Sequence, residues 1–197
     1  MVSHDSKGVP TRMVGTHTDI SARKSSEEVI WKQANFDSLT GLPNRRMFFD
    51  RLREEIKRSV RYKRKFALLF IDLDGFKEVN DTQGHDAGDK LLKLVSSRIA
   101  ETIRQTDTLA RLGGDEFTVI LSGIEGPTQV GAISDKILNG LSRPFMIGKA
   151  TTCISASIGI SIFPDDGLDA DALLKLADSE MYKAKEQGKN CWSYQIK

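Results

Sequence analysis

The chain has 197 residues, with 29 Lys and Arg against 27 Asp and Glu. This length suits one globular domain with a short remainder and excludes two full domains joined by a linker. Apolar residues make up 39% of the chain and charged residues of interspersed sign 28%, which excludes wholesale disorder. The net charge of +2 gives no argument for nucleic acid or an anionic membrane as a partner.

The apolar and cysteine content points to a reduced, membrane-free setting. The longest apolar run, 66–71, is too short to span a membrane, and the polar N-terminus lacks a secretory apolar stretch. We therefore expect no membrane segment and a cytoplasmic location. Cys153 and Cys191 are far apart and match no zinc spacing, so they are interpreted as reduced, incidental thiols.

The N-terminal third predicts a tail followed by two helices. Residues 1–24 are polar and interrupted by glycine and proline, so we expect a tail with at most one strand, over 12–20. Serines and two glutamates in the first turn predict a helix over 25–36. Apolar residues every four positions predict an amphipathic helix over 44–62, with Asn44 as its N-cap.

The rest of the chain mixes strands and helices. The continuous apolar run 66–73 is typical of a central strand covered on both faces, and the pair Gly113-Gly114 between two strand patterns predicts a hairpin. The predicted elements are a short helix to Asn80, a helix opened by His85 or Asp86 and buried through Leu92, Val95, Ile99 and Ile103, strands over 108–112 and 116–121, a helix over 127–141, strands over 145–147 and 153–162, a helix over 169–187 and a strand over 191–196. This mixture indicates an α+β fold with a mostly antiparallel sheet flanked by helices.

Four acids at two strand ends form the sharpest polar cluster. Asp72 and Asp74 end the apolar strand on one face, and Asp115 and Glu116 follow the glycine pair. Carboxylates brought together repel one another, so a cation between them would be stabilising. Oxygen ligands with few histidines nearby favour Mg²⁺ or Mn²⁺ over zinc, commonly with substrate phosphates completing the coordination. The alternative is an ordinary hairpin turn with solvated acids.

Six short motifs stand in a fixed order between Asp37 and Tyr194. They read DSLTGLPNR at 37–45, DLDGFKEVND at 72–81, GHDAGD at 84–89, RLGGDEF at 111–117, SIGI at 157–160 and YKAKEQGKN at 182–190. Together these motifs resemble the GGDEF family, the diguanylate cyclases. The resemblance implies a nucleotidyl-cyclase-like fold with a ferredoxin-like core over 37–197 and a β-hairpin that carries the GGDEF signature.

The resemblance implies an enzyme that condenses two GTP into cyclic di-GMP and releases two pyrophosphates. Two subunits, each holding one GTP, would face each other in an antiparallel homodimer, with each 3′-hydroxyl attacking the other α-phosphate. By similarity, Asp72, the Leu73 carbonyl and Asp115 would hold Mg²⁺. Asp115 would also assist deprotonation of the 3′-hydroxyl, and Lys77 would stabilise charge in the transfer. Glu116, at a further signature position, is also a candidate catalytic residue, with a supporting or solvated acid as the alternative.

The same resemblance implies substrate contacts at Asn80, His85, Asp89, Gly113, Gly114, Lys185 and Lys189. Asn80 and Asp89 match positions that read guanine and favour GTP over ATP, although Asp89 can also simply favour its helix's first turn. His85 either touches the nucleotide or caps its helix. The glycine pair lets the backbone approach a ligand closely. Lys185 and Lys189 match phosphate contacts, with Lys189 where many relatives carry Arg; a solvated basic helix end is the alternative.

Two features outside the signature also resemble known elements. Arg104 and Asp107 form an RxxD motif, and five residues separate Asp107 from Gly113. In the family, a motif at this distance is an inhibitory site for a product dimer; a surface ion pair at a helix end is the alternative. Residues 14–24 resemble the end of a PAS sensor domain. The helix over 25–36 would then be a signalling linker to an upstream sensor domain.

Two other classes of protein stay open beside the active enzyme. One is a catalytically silent module that binds GTP or cyclic di-GMP, and the other is a structural dimerisation domain. The complete set of signature acids and glycines favours activity. We expect GTP and cyclic di-GMP as ligands and no nucleic-acid partner.

Overall fold

The computed structural model describes residues 2–13, 21–148 and 150–195, and it divides into two compact units, Met1–Gln33 and Ala34–Lys197. In the first unit, strands β1 (Val2–His4) and β2 (Pro10–Met13) pair antiparallel. The sequence predicted one strand in this region; the Asp5 carboxylate, which accepts two backbone amides, closes a turn that makes two.

The remaining N-terminal predictions are tested only in part. Helix α1 (Ser21–Asn35) begins four residues before the predicted start. Most of the predicted strand 12–20, and the start of the PAS-like stretch, lie outside the described residues. The PAS resemblance and the domain boundaries 1–24, 25–36 and 37–197 therefore stay predictions.

The second unit is built on one five-stranded sheet. Its elements are α2 (Arg45–Tyr62), β3 (Lys65–Asp74), α3 (Phe76–Gln83), α4 (His85–Ala100), β4 (Thr108–Gly113), β5 (Glu116–Ile124), α5 (Pro127–Leu141), β6 (Phe145–Ile147), β7 (Ala150–Thr152), β8 (Ser155–Phe163), α6 (Ala170–Glu186) and β9 (Trp192–Ser193). The sheet order is β4-β5-β3-β8-β9, antiparallel except between β8 and β9. Strands β6 and β7 form a separate hairpin, and β7 was not predicted.

Strand β3 lies at the centre of the sheet and is covered on both faces, as the apolar run predicted. Its even-numbered residues 66–70 pack with α2 and α6, and its odd-numbered residues 67–71 pack with α4 and α5. This alternation follows from the two-residue period of a strand. The predicted α+β fold, a mostly antiparallel sheet flanked by helices, is confirmed.

The helix ends show which local signals were sufficient. Asn44 caps α2 as predicted, because its side chain accepts the Met47 amide at 3.1 Å. The predicted cap of α4 by His85 or Asp86 is wrong. Gly84, at φ 86°, closes α3 and opens α4, so the helix already begins at His85.

Two further boundaries differ from the sequence prediction. Helix α4 ends at Ala100, so Ile103 lies beyond the helix, although it is still partly buried against the core. The strand predicted over 153–162 begins at Ser155. Among the described residues, no helix has the length and hydropathy of a membrane span.

Helix α6 lies directly on β8, and Gly159 makes this approach possible. A Cβ atom at Gly159 would lie 1.8 Å from the Ala177 carbonyl oxygen and 2.1 Å from the Met181 amide nitrogen. Backbone cannot yield to such overlaps without moving the whole helix. Gly159 thus fixes the height of α6 above the sheet and with it the position of the polar residues at the end of α6.

Candidate active site

A polar cavity of about 330 Å³ opens at the end of the central strand. The end of β3, the first turn of α3, the β4–β5 turn and the C-terminal end of α6 form its walls. Its lining residues are Asp72, Leu73, Asp74, Gly75, Phe76, Lys77, Glu78, Asp115, Lys185 and Lys189. The structure thus brings together the three predicted metal ligands and the three predicted phosphate-contacting lysines.

The β4–β5 turn holds Asp115 at the cavity. Gly113 lies opposite Glu116, which leaves Gly114 and Asp115 as a two-residue turn. Gly113 has a φ of 147° and Gly114 a φ of 52°, values in the region that favours glycine. The glycine pair therefore shapes the turn, and neither glycine lines the cavity.

Arg111 braces this turn, a role that the sequence analysis missed. Its guanidinium donates to the Gly114 carbonyl at 2.7 and 3.0 Å and to both carboxylate oxygens of Asp37 at 3.0 Å. The forked geometry of a guanidinium suits this two-sided contact. The signal was available, because Arg111 stands in the signature and Asp37 opens the first motif.

Asp72 carries the clearest electrostatic perturbation in the cavity. Its Oδ1 lies 2.8 Å from the Lys185 ammonium. Burial raises the pKa of Asp72 above its usual value, and the charges of Asp115 and Asp74 add to that increase, while Lys185 opposes it. The neighbouring carboxylates therefore disfavour the charged form of Asp72, and a cation placed between Asp72 and Asp115 would relieve this repulsion.

The donor set fits a magnesium ion that shares its coordination with a ligand. Within the described residues, no three His, Cys, Asp or Glu side chains lie close enough together to hold a metal alone. Asp72 and Asp115 offer two carboxylates, and Leu73 offers a backbone carbonyl. Mg²⁺ is usually held by one or two carboxylates, with water and substrate phosphates as its other ligands.

Glu116 lies beside this cavity rather than in it. It is the cross-strand neighbour of Asp72, but it lines a second cavity of about 270 Å³ together with Arg45 and Asp178. Burial raises the pKa of Glu116, and the negative charges of Asp72, Asp115 and Asp178 also raise it, whereas Arg45 lowers it. Glu116 is thus electrostatically linked to the predicted metal ligands Asp72 and Asp115, but it lines a different cavity.

The two predicted guanine-reading residues lie where α3 meets α4. Asn80 is on α3, about one turn beyond Lys77, and its side chain packs against Gly88 of α4. A Cβ at Gly88 would lie 2.0 Å from the Asn80 Oδ1. Asp89 follows directly and is exposed, as is His85 at the first position of α4. These three residues lie outside the cavity lined by the lysines.

The RxxD motif lies in a separate place, at a basic cavity of about 240 Å³. Arg58, Arg64 and Arg104 line this cavity, and the first two were not singled out in the sequence. Asp107 accepts the Arg104 backbone amide at 2.9 Å and the Ser122 amide at 3.1 Å. Asp107 therefore ties the 104–107 turn to β5, while the Arg104 side chain is exposed.

Comparison with known proteins places this geometry in a family. Residues 34–191 match the family profile described as diguanylate cyclase, GGDEF domain. A bifunctional diguanylate cyclase/cyclic di-GMP phosphodiesterase, MucR of Pseudomonas aeruginosa, is 44% identical over 174 residues, which is 88% of this chain and 25% of MucR. The chain therefore spans about a quarter of the length of that relative.

Two solved structures are similar over most of the chain. The GGDEF domain of TpbB from P. aeruginosa has a TM-score of 0.78 at 39% identity, covering 80% of this chain and 92% of that one. The coiled coil and GGDEF domain of DgcB from Caulobacter crescentus, solved in complex with cyclic di-GMP, has a TM-score of 0.79 at 26% identity, covering 88% and 92%. The chain belongs to the GGDEF family. The description of this family names diguanylate cyclase, the enzyme class that the sequence predicted.

Proposed function

We propose that this domain is an active diguanylate cyclase, which condenses two GTP into cyclic di-GMP and two pyrophosphates. The observation that carries the proposal is the set of residues that line the polar cavity at the end of β3. Two carboxylates and a carbonyl, suited to a divalent cation, lie in the same space as Lys77, Lys185 and Lys189, suited to a triphosphate. A silent binding module has no comparable observation in its favour.

The roles of the residues follow from their places around the cavity. Asp72, Asp115 and the Leu73 carbonyl would hold Mg²⁺ or Mn²⁺, which when bound polarises the phosphate and favours ionisation of the attacking hydroxyl. Asp115, on the turn, is the candidate to accept the 3′-hydroxyl proton. The lysines stabilise the negative charge that builds up on the phosphoryl oxygens.

The first turn of α3 adds a second source of positive potential. The first-turn amides of a helix have no carbonyl partner within the helix, and they carry the positive end of its dipole. Phe76, Lys77 and Glu78 of this turn line the cavity. A phosphate seated there would be oriented toward Asp72 and Asp115. Asn80, one turn on, then lies on the side where the base extends, with Asp89 as its partner and His85 nearby.

A turnover assay with GTP and Mg²⁺, with the product identified by mass, tests the proposal. We expect cyclic di-GMP and pyrophosphate, and we expect Asp115→Asn to abolish turnover because it removes a charged metal ligand from the turn. Glu186→Ala, an exposed acid at the end of α6, is the matched control and should turn over normally. Tight GTP binding without turnover in an enforced dimer would instead establish the silent module, and full activity of Asp115→Asn would remove its assigned role.

We further propose that the RxxD cavity binds cyclic di-GMP and inhibits the enzyme. Three guanidiniums at one small cavity suit a ligand with two phosphates, since guanidinium pairs with phosphate through two parallel hydrogen bonds. Arg104→Ala should relieve inhibition by added product while leaving initial turnover intact. Arg46 is an exposed arginine at the N-terminal end of α2 and does not line this cavity, so Arg46→Ala serves as the control. An unchanged inhibition curve for Arg104→Ala would reject the site.

A further inference from the structure

Asp74 is an acid in the cavity wall, and both of its carboxylate oxygens accept hydrogen bonds from the protein. It is 7% exposed. Its Oδ2 accepts the Ser155 hydroxyl at 2.7 Å and the Asn190 backbone amide at 3.2 Å, and its Oδ1 accepts the Ser157 hydroxyl at 2.9 Å. The sequence grouped Asp74 with the acids that would attract a metal. Its contacts instead connect three segments of the chain, namely the end of β3, strand β8 and the loop after α6.

The loop that Asp74 holds is the one that carries Lys189. Lys189 and Asn190 have φ values of 64° and 50°, two consecutive non-glycine residues in the left-handed region. Such a conformation costs free energy at each residue and persists only where surrounding contacts stabilise it. The Asn190 amide is anchored on Asp74, and the Asn190 side chain accepts the Ser142 hydroxyl at 2.9 Å.

We propose that Asp74 is a positioning residue that holds Lys189 against the phosphate side of the cavity and is not itself a metal ligand. The inference rests on the proposed function, because it gives Lys189 a triphosphate to contact. Asp74 acts through the backbone of the 188–190 loop. Loss of the Asp74 carboxylate would let the two left-handed residues relax. Because the Lys189 side chain is exposed, its ammonium would then leave the cavity wall.

Two substitutions at Asp74 separate positioning from metal binding. In Asp74→Asn, the side-chain oxygen can still accept from Ser155 and Asn190, and the new amide can donate to the Ser157 oxygen. We expect this variant to keep a near-native KM for GTP and a native affinity for Mn²⁺ measured by electron paramagnetic resonance. Asp74→Ala removes both acceptor oxygens, and with them all three hydrogen bonds, and should raise the KM about tenfold, the effect of losing one charge-assisted hydrogen bond.

A double variant tests whether Asp74 acts through Lys189. Lys189→Ala alone should raise the KM, and the pair Asp74→Ala/Lys189→Ala should match Lys189→Ala within about twofold, because the two changes remove the same contact. Multiplying effects would overturn the proposal. Loss of Mn²⁺ binding in Asp74→Asn, as expected for Asp72→Asn, would show that Asp74 is a ligand and overturn it equally.

Binding of 3′-deoxy-GTP separates this inference from the proposed activity. The analogue lacks the attacking hydroxyl, so its dissociation constant reports on phosphate contacts whether or not the protein turns over GTP. Asp74→Ala should weaken its binding by the same factor as it raises the KM, and unchanged binding would reject the positioning role. If Asp74→Ala does not fold, Ser155→Ala/Ser157→Ala frees Asp74 from β8. It should raise the same dissociation constant, and only in chains that retain Lys189.

Discussion

The placement of Asn80 depends on the absence of one methyl group. Gly88 packs so closely against Asn80 that a Cβ atom would lie 2.0 Å from the amide oxygen and 3.3 Å from the Phe76 ring. Asn80 can therefore keep its side-chain position only while residue 88 is a glycine, so the proposed contact of Asn80 with guanine depends on Gly88. The sequence showed Gly88 as part of a motif but could not show what its missing side chain leaves room for.

Gly88→Ala should raise the KM for GTP by about tenfold or more, because the new methyl group displaces Asn80 from its rotamer. Steady-state kinetics measure the effect. Gly140→Ala in α5 is a matched control, since its Cβ would meet only ordinary contacts with Arg98 at 3.8 Å. The control should stabilise the helix by up to about 1 kcal/mol without changing the KM. A native KM for Gly88→Ala would separate Asn80 from guanine recognition.

At the scale of elements, the β4–β5 hairpin that carries the signature is stabilised by a contact with a residue outside the hairpin. Arg111 joins the Gly114 carbonyl to Asp37, a residue in the turn before α2. Burial disfavours the charged form of Asp37, but hydrogen bonds from the Thr40 hydroxyl and amide and from Arg111 outweigh it, so the pKa of Asp37 lies below its usual value. The hairpin that presents Asp115 is thus coupled to the start of the domain.

Asp37→Asn should reduce the free energy of unfolding at pH 7 by about 1 to 3 kcal/mol, since it removes a charge-assisted pair with two short contacts. The ordinary pKa of an aspartate is about 3.9, and the pKa of Asp37 in the folded protein is lower. The charged form of Asp37 therefore contributes its full stabilisation at pH values above the ordinary pKa. The contribution is lost as the pH falls through the folded pKa. Urea unfolding of both proteins from pH 7 to pH 3 should therefore show a difference that shrinks below about pH 4.

Exposed acids provide the comparison for this pH effect. Asp50 lies 3.8 Å from Arg53 and its side chain is 57% exposed, so Asp50→Asn should change the free energy of unfolding little at pH 7. If Asp37→Asn behaved like Asp50→Asn, the bracing of the hairpin by Arg111 would contribute nothing to folding.

The elements that the sequence predicted well are those set by neighbours along the chain. Asn44 caps α2 through an amide three residues away, and the alternation in β3 needs only its own residues. The contacts that define the site are of another kind. Asp72 meets Lys185, and Asp74 meets Asn190, across more than 100 residues. Residue types suggested a cation site, but only packing shows that Asp74 is already engaged and that Glu116 faces a separate cavity.

At the scale of the whole molecule, the proposed reaction needs two domains. One domain presents one cavity with the predicted metal ligands, whereas the product joins two nucleotides in a ring. In the mechanism that the family resemblance implies, each 3′-hydroxyl attacks an α-phosphate held by the other subunit, so one domain alone would not complete the reaction. The homodimer predicted from the sequence is thus part of the proposed function and stays a prediction.

Under the proposed mechanism a single domain is inactive, so activity per unit of protein should rise with protein concentration until the domains are paired. Turnover measured over a wide dilution series, alongside the mass of the particle in solution, checks this expectation. Fusion to a dimeric coiled coil ahead of α1 should remove the dependence. Specific activity that stays constant at dilutions where the domain is a monomer would contradict the two-domain reaction.

The ion pair between Lys185 and Asp72 has a consequence for how ligands enter. The Lys185 ammonium already pairs with Asp72, which is a predicted metal ligand. A free divalent ion would therefore have to compete with this ammonium for the carboxylate. Under the proposed function, Asp72 would bind the metal that accompanies a triphosphate, and the phosphates would then offer the Lys185 ammonium a new partner. Under the proposed function, nucleotide and metal then raise each other's affinity by the same factor, as reciprocal linkage requires. If the proposed function holds, the protein without ligands would bind the nucleotide and the metal together more tightly than it binds either one alone.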